Sequence, residues 1–380
     1  MMGKWKRIPI VDLCETHVDC VNRTAPAVDG PTPFKMIRTT NVRNGFIDVN
    51  NVKYVDEPTY HRWTRRLVPI KNDVILTREA PLGNIGIVRS DDAIFLGQRL
   101  YHFRSDREKL NPYFLLYSLL ADDLQGQIKG FGSGSTVEHM RLGDIPLLKV
   151  NAPSIETQKK IAAILSAYDD LIENNLRRIK ILEEMARNLY HEWFVKFRFP
   201  GHQQVRMIDS PLGEIPEGWE VAQLKEIADV NAISIRKGNA PEEIVYVDIA
   251  SVSPGSIDKM ETMRFTDAPS RARRVAKHGD IVWSSVRPNR RSFSLIVKPP
   301  QNLIVSTGFA VISPKQIPYT FLYQSITTDY FVVYLVNHAK GAAYPAVNID
   351  DFANASIVLP NSELLEKFDQ VVQEITIPFA

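Results

Sequence analysis

Residues 155–199 read IETQKKIAAILSAYDDLIENNLRRIKILEEMARNLYHEWFVKFRF, with no proline and no glycine among them. Marking Ile161, Leu165, Tyr168, Ile172, Asn175, Ile179, Leu182, Ala186, Leu189 and Trp193 gives steps that alternate between four and three without a slip, and Asn175 is the one polar member. A heptad pattern held this long predicts a single helix whose apolar seam packs along a second helix. At about 1.5 Å per residue it reaches roughly 60 Å, wider than an ordinary domain, so it reads as a spacer. An asparagine inside such a seam is the residue expected to set its register.

Before this stretch, short β-rich runs are broken by turn signals: FKMIR (34–38), GFIDV (45–49), DVILT (73–77), IGIVR (85–89) and LYHF (100–103). A helical patch, PYFLLYSLLADDL (112–124), the glycine- and serine-rich KGFGSGST (129–136) and a strand within IPLLKVNAP (145–153) complete a mixed α+β domain. The same order returns after the spacer. At an offset of 207, Lys71-Asn72-Asp73-Val74-Ile75 falls on His278-Gly279-Asp280-Ile281-Val282, Pro81 on Pro288, Gly134 on Gly341 and Pro153 on Pro360. Gly45-Phe46-Ile47-Asp48 faces Gly255-Ser256-Ile257-Asp258 at 210, and Trp5 faces Trp219. An internal repeat with small shifts of offset implies two copies of one fold whose gaps lie in loops. The helix start repeats too: residues 154–168 align with 361–375, with Ser154 and Ser362 as candidate N-caps, and Pro378 stops the second helix.

The expected class is therefore α+β: two tandem mixed α/β domains separated by a long coiled-coil helix, with a short second helix at the C-terminus. The expected boundaries are 1–153, 154–199, 200–360 and 361–380.

Composition excludes some classes. Apolar residues make up 44% and charged residues 24%, as in ordinary globular proteins, and no apolar run is long enough to span a bilayer or resemble a secretory leader, so the expected location is cytoplasmic without membrane attachment. Cys14 and Cys20 flank His17 but lack a second ligand pair for zinc, so two reduced structural thiols and no metal are expected. The net charge is only +2, yet residues 264–298 carry nine basic side chains opposed by Asp267 and Asp280 alone, a patch that attracts a polyanion.

A duplicated loop-rich domain followed each time by a helix resembles the specificity subunit of type I restriction-modification enzymes. The stretches that carry the resemblance are residues 145–197 and SPLGEIPEGWEVAQLKEIADV (210–230), and it extends over essentially the whole chain. It implies two target-recognition domains, each reading one half of a split double-stranded DNA site, held apart by two antiparallel helices. It implies partners as well: two methyltransferase subunits, which carry S-adenosylmethionine, and restriction subunits. The chain itself would hold no cofactor and catalyse nothing. The family's second helix is comparable with the first, whereas the counterpart of residues 171–194 is absent here. The expectation is a shortened subunit in which most of the seam 172–193 pairs with a second copy or a separately encoded chain.

Reading DNA requires donors and acceptors at base edges, Arg for guanine and Asn or Gln for adenine, and phosphate contacts for register. The first domain offers Arg38, Thr40, Asn41, Arg43, Arg62, Arg65, Arg66, Arg78, Gln98 and Arg99, with Ser133 and Ser135 of the glycine-rich loop suited to a phosphate. The second offers Arg236, Lys237, Arg271, Arg273, Arg274, Ser284, Arg287, Asn289, Arg290, Arg291 and Tyr344. Arg62, Arg65 and Arg66 lie in the segment that corresponds to Arg271, Arg273 and Arg274, and the loop after DVILT corresponds to the loop after DIVWS. Half-sites on one face of the duplex would lie about 34 Å apart.

Two other classes compete with this reading. A methyltransferase or nuclease fused to its own recognition domains would need an Asp/Asn-Pro-Pro-aromatic motif, a Walker A loop or a carboxylate cluster; the nearest sequence, Asn111-Pro112-Tyr113-Phe114, has a single proline. The glycines of Phe131-Gly132-Ser133-Gly134 are not repeated in Gly341-Ala342-Ala343-Tyr344, which argues against a nucleotide loop. A structural coiled-coil adaptor explains the seam but not two loop-rich domains with matching basic positions.

Overall fold

The computed structural model describes residues 5–132 and 138–376, and the chain divides into two compact units, Met1–Asn174 and Asn175–Ala380. The boundary falls inside the long helix, Ile155–Tyr190.

In the first unit, Lys6–Pro9 pairs antiparallel with Lys149–Ala152 and closes the domain at its ends. A four-stranded sheet runs in the order Cys14–Asp19, Leu100–Ser105, Val74–Arg78, Leu82–Ile87, and a three-stranded sheet in the order Lys53–Tyr54, Phe34–Ile37, Ala93–Leu96. Strand alternation sorts the apolar residues. Val74, Leu76, Tyr101 and Phe103 face a core shared with Phe114, Leu115, Leu119 and Ile128, whereas Ile75 and Leu100 face a second core with Ile37, Val42 and Ile94. The Asn111-Pro112 pair is a helix start: the Asn111 side chain accepts from the backbone of Tyr113 and Phe114, and Pro112 stands at the first helical position.

The second unit repeats this plan. Glu220–Gln223 pairs with Ser356–Leu359, and the four-stranded sheet runs Ala228–Val230, Phe309–Pro314, Ile281–Ser284, Phe293–Leu295. Ile281 and Trp283 face one core and Val282 another. The Trp283 indole, fully buried, donates to the Ile326 carbonyl at 2.9 Å. The hairpin Val42/Ile47 recurs as Val252/Ile257, and the Asp48 and Asp258 amides donate to Asn41 and Ser251 carbonyls, each at 2.8 Å. The second sheet differs. It has four strands, Glu261–Arg264, Glu243–Val247, Leu303–Ser306 and Ala272–Val275, where the first unit has three and a helix at Glu57–Trp63.

Several boundaries depart from the sequence reading. The 112–124 patch is two helices, Pro112–Leu120 and Asp122–Gly130, broken where Ala121 turns extended. IPLLKVNAP opens as a 3-10 turn, Leu142–Leu147, with Pro146 inside it, and only Lys149–Ala152 is strand. The long helix does not reach Phe199. It passes into a π turn, His191–Val195, and stops because Phe197 takes a left-handed φ of 56°. Phe194, Phe197 and Phe199 then pack around Trp219, Phe197 edge to face and the other two tilted. The C-terminal helix, Ser362–Thr376, is capped by Asn361, whose side chain accepts from Leu364 N, and not by Ser362.

The seam is covered at its ends and bare between them. Ile161 packs on the first unit's core, and Ala186, Leu189 and Trp193 pack on the second's. Leu165, Tyr168 and Ile172 are 38%, 64% and 53% exposed, beside exposed Ile164, Leu171 and Leu176. Asn175 is half-buried, and Ile179 and Leu182 line an open cleft of about 1240 Å³ in the second unit. The uncovered stretch is thus centred on 164–176 and not on 172–193. Phe321 and Phe368 cover the later turns through Tyr190 and Phe194 at 5.0–6.1 Å between ring centres.

Candidate nucleic-acid interface

In each unit one corner gathers the polar residues, and the backbone that builds it is the same. The strand Val74–Arg78 leaves its sheet beside the turn before Leu100, where the Arg78 amide donates to the Arg99 carbonyl at 2.8 Å. The Met140 amide donates back to Arg78 O at 2.9 Å, and Glu79 forms a bridge with His139. In the second unit the Ser285 amide donates to Gly308 O at 2.9 Å, the Val347 amide donates to Ser285 O at 2.8 Å, and Val286 bridges Ala346. Each corner therefore clamps the loop after the central strand to a chain segment some sixty residues later, the segment that follows the glycine-bearing loop. Close approach explains Gly97 here: a Cβ at this position would sit 2.8 Å from the Ile37 carbonyl.

The first corner brings together Arg38, Arg78, Gln98 and Arg99. Arg78 Nη1 donates to Met140 O at 3.1 Å, Arg99 Nε lies 3.3 Å from Glu79, and Gln98 accepts from Thr24 at 3.1 Å. Arg99 holds a φ of 70°, a strained setting for a side chain of this kind. Arg38 is half-buried, and its Nε has no partner among the described residues. Thr40 and Arg43 are exposed on the adjoining turn and hairpin. Asn41 does not reach outward. It is buried, its oxygen accepts from Arg38 N and its amide donates to Asn51 O, so it shapes the turn. Ser133 and Ser135 lie outside the described residues.

The second corner brings together Arg271, whose carbonyl accepts from Thr307 N at 2.8 Å, and residues 285–291 and 340–346. Arg287 donates to Ala343 O at 3.1 Å and lies 4.8 Å over the ring of Tyr344, which is itself exposed. Arg291 pairs with Asp329. Asn289 and Arg290 are exposed at the tip. Ser284 is a correction: its side chain is buried and donates to Val286 O at 2.8 Å, a turn bond.

A second basic group lies on each unit, in different structure. Arg62 is on the helix Glu57–Trp63, 6.0 Å over Trp63; exposed Arg65 follows it, and Arg66 pairs with Asp19. Arg273 and Arg274 sit instead on the strand Ala272–Val275, the first 5.0 Å over Phe265 and the second donating to Ser234 at 2.9 Å. Arg236 and Lys237 are exposed on the turn beside them, where Ile235 N donates to Arg273 O. The two triplets of arginines therefore occupy corresponding segments but not equivalent positions. The anchors Ala343 O and Asp329 went unread in the sequence, because only chain closure brings them near Arg287 and Arg291.

Among the described residues no cluster of His, Cys, Asp and Glu could hold a metal, and both thiols are free, with burial pushing Cys14 up to about 12. No described helix is long and apolar enough to cross a membrane.

Residues 2–184 match the family model described as the type I restriction modification DNA specificity domain. The MjaIX specificity subunit of a type I restriction enzyme from Methanocaldococcus jannaschii is 24% identical over 332 residues, 84% of this chain and 74% of the relative. The MjaVIII specificity subunit of the same organism is 26% identical over 311 residues, covering 79% and 71%. The fold is similar to that of the crystal structure of a type I restriction-modification S subunit from M. genitalium, with a TM-score of 0.61 at 16% identity, over 100% of this chain and 92% of the other.

Proposed function

Because the chain belongs to the specificity subunits of type I restriction-modification enzymes, we propose that its two corners each read one half of a bipartite double-stranded DNA site. The chain is the non-catalytic DNA-recognition component of such an enzyme and works with methyltransferase and restriction subunits. Two methyltransferase subunits, each carrying S-adenosylmethionine, act at adenines within the two half-sites that the corners select. The observation that carries the reading is the repeated clamp, which holds the same backbone at Arg78 and Ser285 but presents different side chains. Two half-sites of different sequence call for that arrangement.

Phosphate contacts from Arg43, Arg65, Arg236 and Lys237, all exposed, set register, while residues nearer each corner read bases. The bare seam around Tyr168 and Ile172 is covered in the assembly by a helix from outside this chain, a second copy or a separately encoded piece.

The test is methylome sequencing of cells that encode the partner subunits, with and without this gene. A split methylation motif that disappears on deletion supports the reading, and an unchanged methylome overturns it. Specific binding by the assembled complex is expected to fall steeply with salt, by orders of magnitude between about 50 and 200 mM.

A further inference from the structure

The five residues 287–291 form a turn whose backbone is unusual for its sequence. Arg287 has φ 51° and ψ 62°, Arg291 has φ 56° and ψ 37°, and between them Pro288–Arg290 makes one 3-10 turn. Both arginines are therefore left-handed, a conformation natural to glycine and disfavoured by a Cβ; asparagine and aspartate offset it with local hydrogen bonds that arginine cannot make. Two such residues within five persist only if other contacts hold them.

Those contacts are present, and they involve four anchors. The Arg287 amide donates to Pro345 O at 2.7 Å, and its guanidinium donates to Ala343 O and stacks on Tyr344. Pro288 is buried. The Arg291 amide donates to Pro288 O at 3.0 Å, and its guanidinium pairs with Asp329. Only Asn289 and Arg290 are left over. Both are exposed, and among the described residues neither side chain has a hydrogen-bond or ion-pair partner.

Resting on the DNA-reading role above, we propose that Asn289 and Arg290 are the base-reading residues of the second unit, and that Arg287 and Arg291 are positioning residues that hold their turn rigid. The chemistry fits purine edges: a guanidinium matches the paired acceptors of guanine, and a carboxamide matches the acceptor and donor of adenine. A phosphate contact needs no such pedestal, because a flexible cation serves it as well. Pre-organisation matters where a wrong base must be rejected by geometry. The first unit keeps the left-handed residue at the matching place, Ala80 at φ 51°, but follows it with Pro81, Leu82 and Gly83, which offer no polar side chain. The proposed reading therefore concerns one half-site alone.

The experiment uses the full chain assembled with its methyltransferase subunits, profiled for binding and methylation on a library randomised across both half-sites. R290A is expected to lower discrimination at one position of one half-site by about 10-fold or more, and N289A at a neighbouring position, with the other half-site unchanged. R291D and D329R are each expected to relax both positions, and the combined R291D/D329R exchange to restore them. An R290A complex that keeps its full base preference overturns the proposal. So does one that loses affinity for all sequences alike with a salt slope lowered by about one, the signature of a phosphate contact. An exchange pair that fails to restore discrimination overturns the positioning role. A wild-type complex with no sequence preference at all refutes the DNA-reading role itself, a separate failure.

Discussion

Asp73 in the first unit and Asp280 in the second do the same backbone work. Asp73 accepts from Ile70 N at 2.8 Å and Asp280 from Lys277 N at 2.7 Å, each three residues back, closing the turn before the central strand. Their other surroundings diverge through the pairing of that strand. Val74 faces Phe103 and Ile281 faces Ile312, so His102 and Arg104 stand where the second unit has Val311 and Ser313. Burial would raise the Asp73 carboxyl, but bonds from His102 at 2.6 Å and Arg104 at 2.7 and 2.9 Å outweigh it and hold it below its ordinary 3.8. At Asp280 burial dominates over the bonds from Ser313 and Lys277, and the carboxyl is raised. A carboxylate placed by a turn can become the centre of an ionic network or a buried burden, depending on two residues of a neighbouring strand.

The largest expected effect separates these two. D73N leaves His102 and Arg104 facing a neutral group in a site only 2% exposed, and should destabilise the first unit by about 3–5 kcal/mol. D280N keeps an acceptor for Lys277 N and should stay within about 1 kcal/mol of wild type. Chemical denaturation with probes in each unit checks this, and equal losses would break the comparison. The pH dependence has opposite signs. Asp73 titrates lower when folded, so its contribution is present above pH 3.8 and is lost as pH falls through the lowered value. Asp280 titrates higher when folded, so the second unit is favoured below pH 3.8 and loses that stability as pH rises through the raised value.

Beyond the apolar packing that both share, the units hold their parts of the long helix differently. In the first, Arg89 reaches Asp169, Asp170 and Glu173 at 3.1–3.4 Å and lies 4.3 Å over Phe46, while Tyr117 donates to Asp169 at 2.8 Å. In the second, Tyr190 and Phe194 pack among Phe321 and Phe368. F194A should therefore cost the second unit about 3–5 kcal/mol, little changed by salt. R89A should cost the first about 1–2 kcal/mol, and less at high salt, because two of its three carboxylates are well exposed.

The smallest effect tests the left-handed residues. A80G removes a Cβ at φ 51° and gives up no anchor, so it should raise stability by about 1 kcal/mol or less. R287G relieves the same strain but loses the bond to Ala343 and the stack on Tyr344, and should gain less. Paired thermal melts decide between them.

Much of this was legible in the chain. Periodicity announced the helix, and the matched KNDVI and HGDIV segments announced the duplication, because core positions of one fold must repeat. What escaped notice depends on tertiary closure. Asn41 and Ser284 have the chemistry of base readers, yet their side chains turn inward to close turns. Propensity did not foretell that segments aligned between the units would form a helix at Glu57–Trp63 and a strand at Ala272–Val275. The bare stretch of seam lay elsewhere because the second unit's core, distant in sequence, takes up Ala186, Leu189 and Trp193, the last against Phe368.

The paired clamps, Glu79 to His139 and Val286 to Ala346, carry a consequence for substitution. Since each bridge fastens the loop after the central strand to a segment some sixty residues later, side chains beyond the bridge can be replaced without disturbing the sheet that carries them.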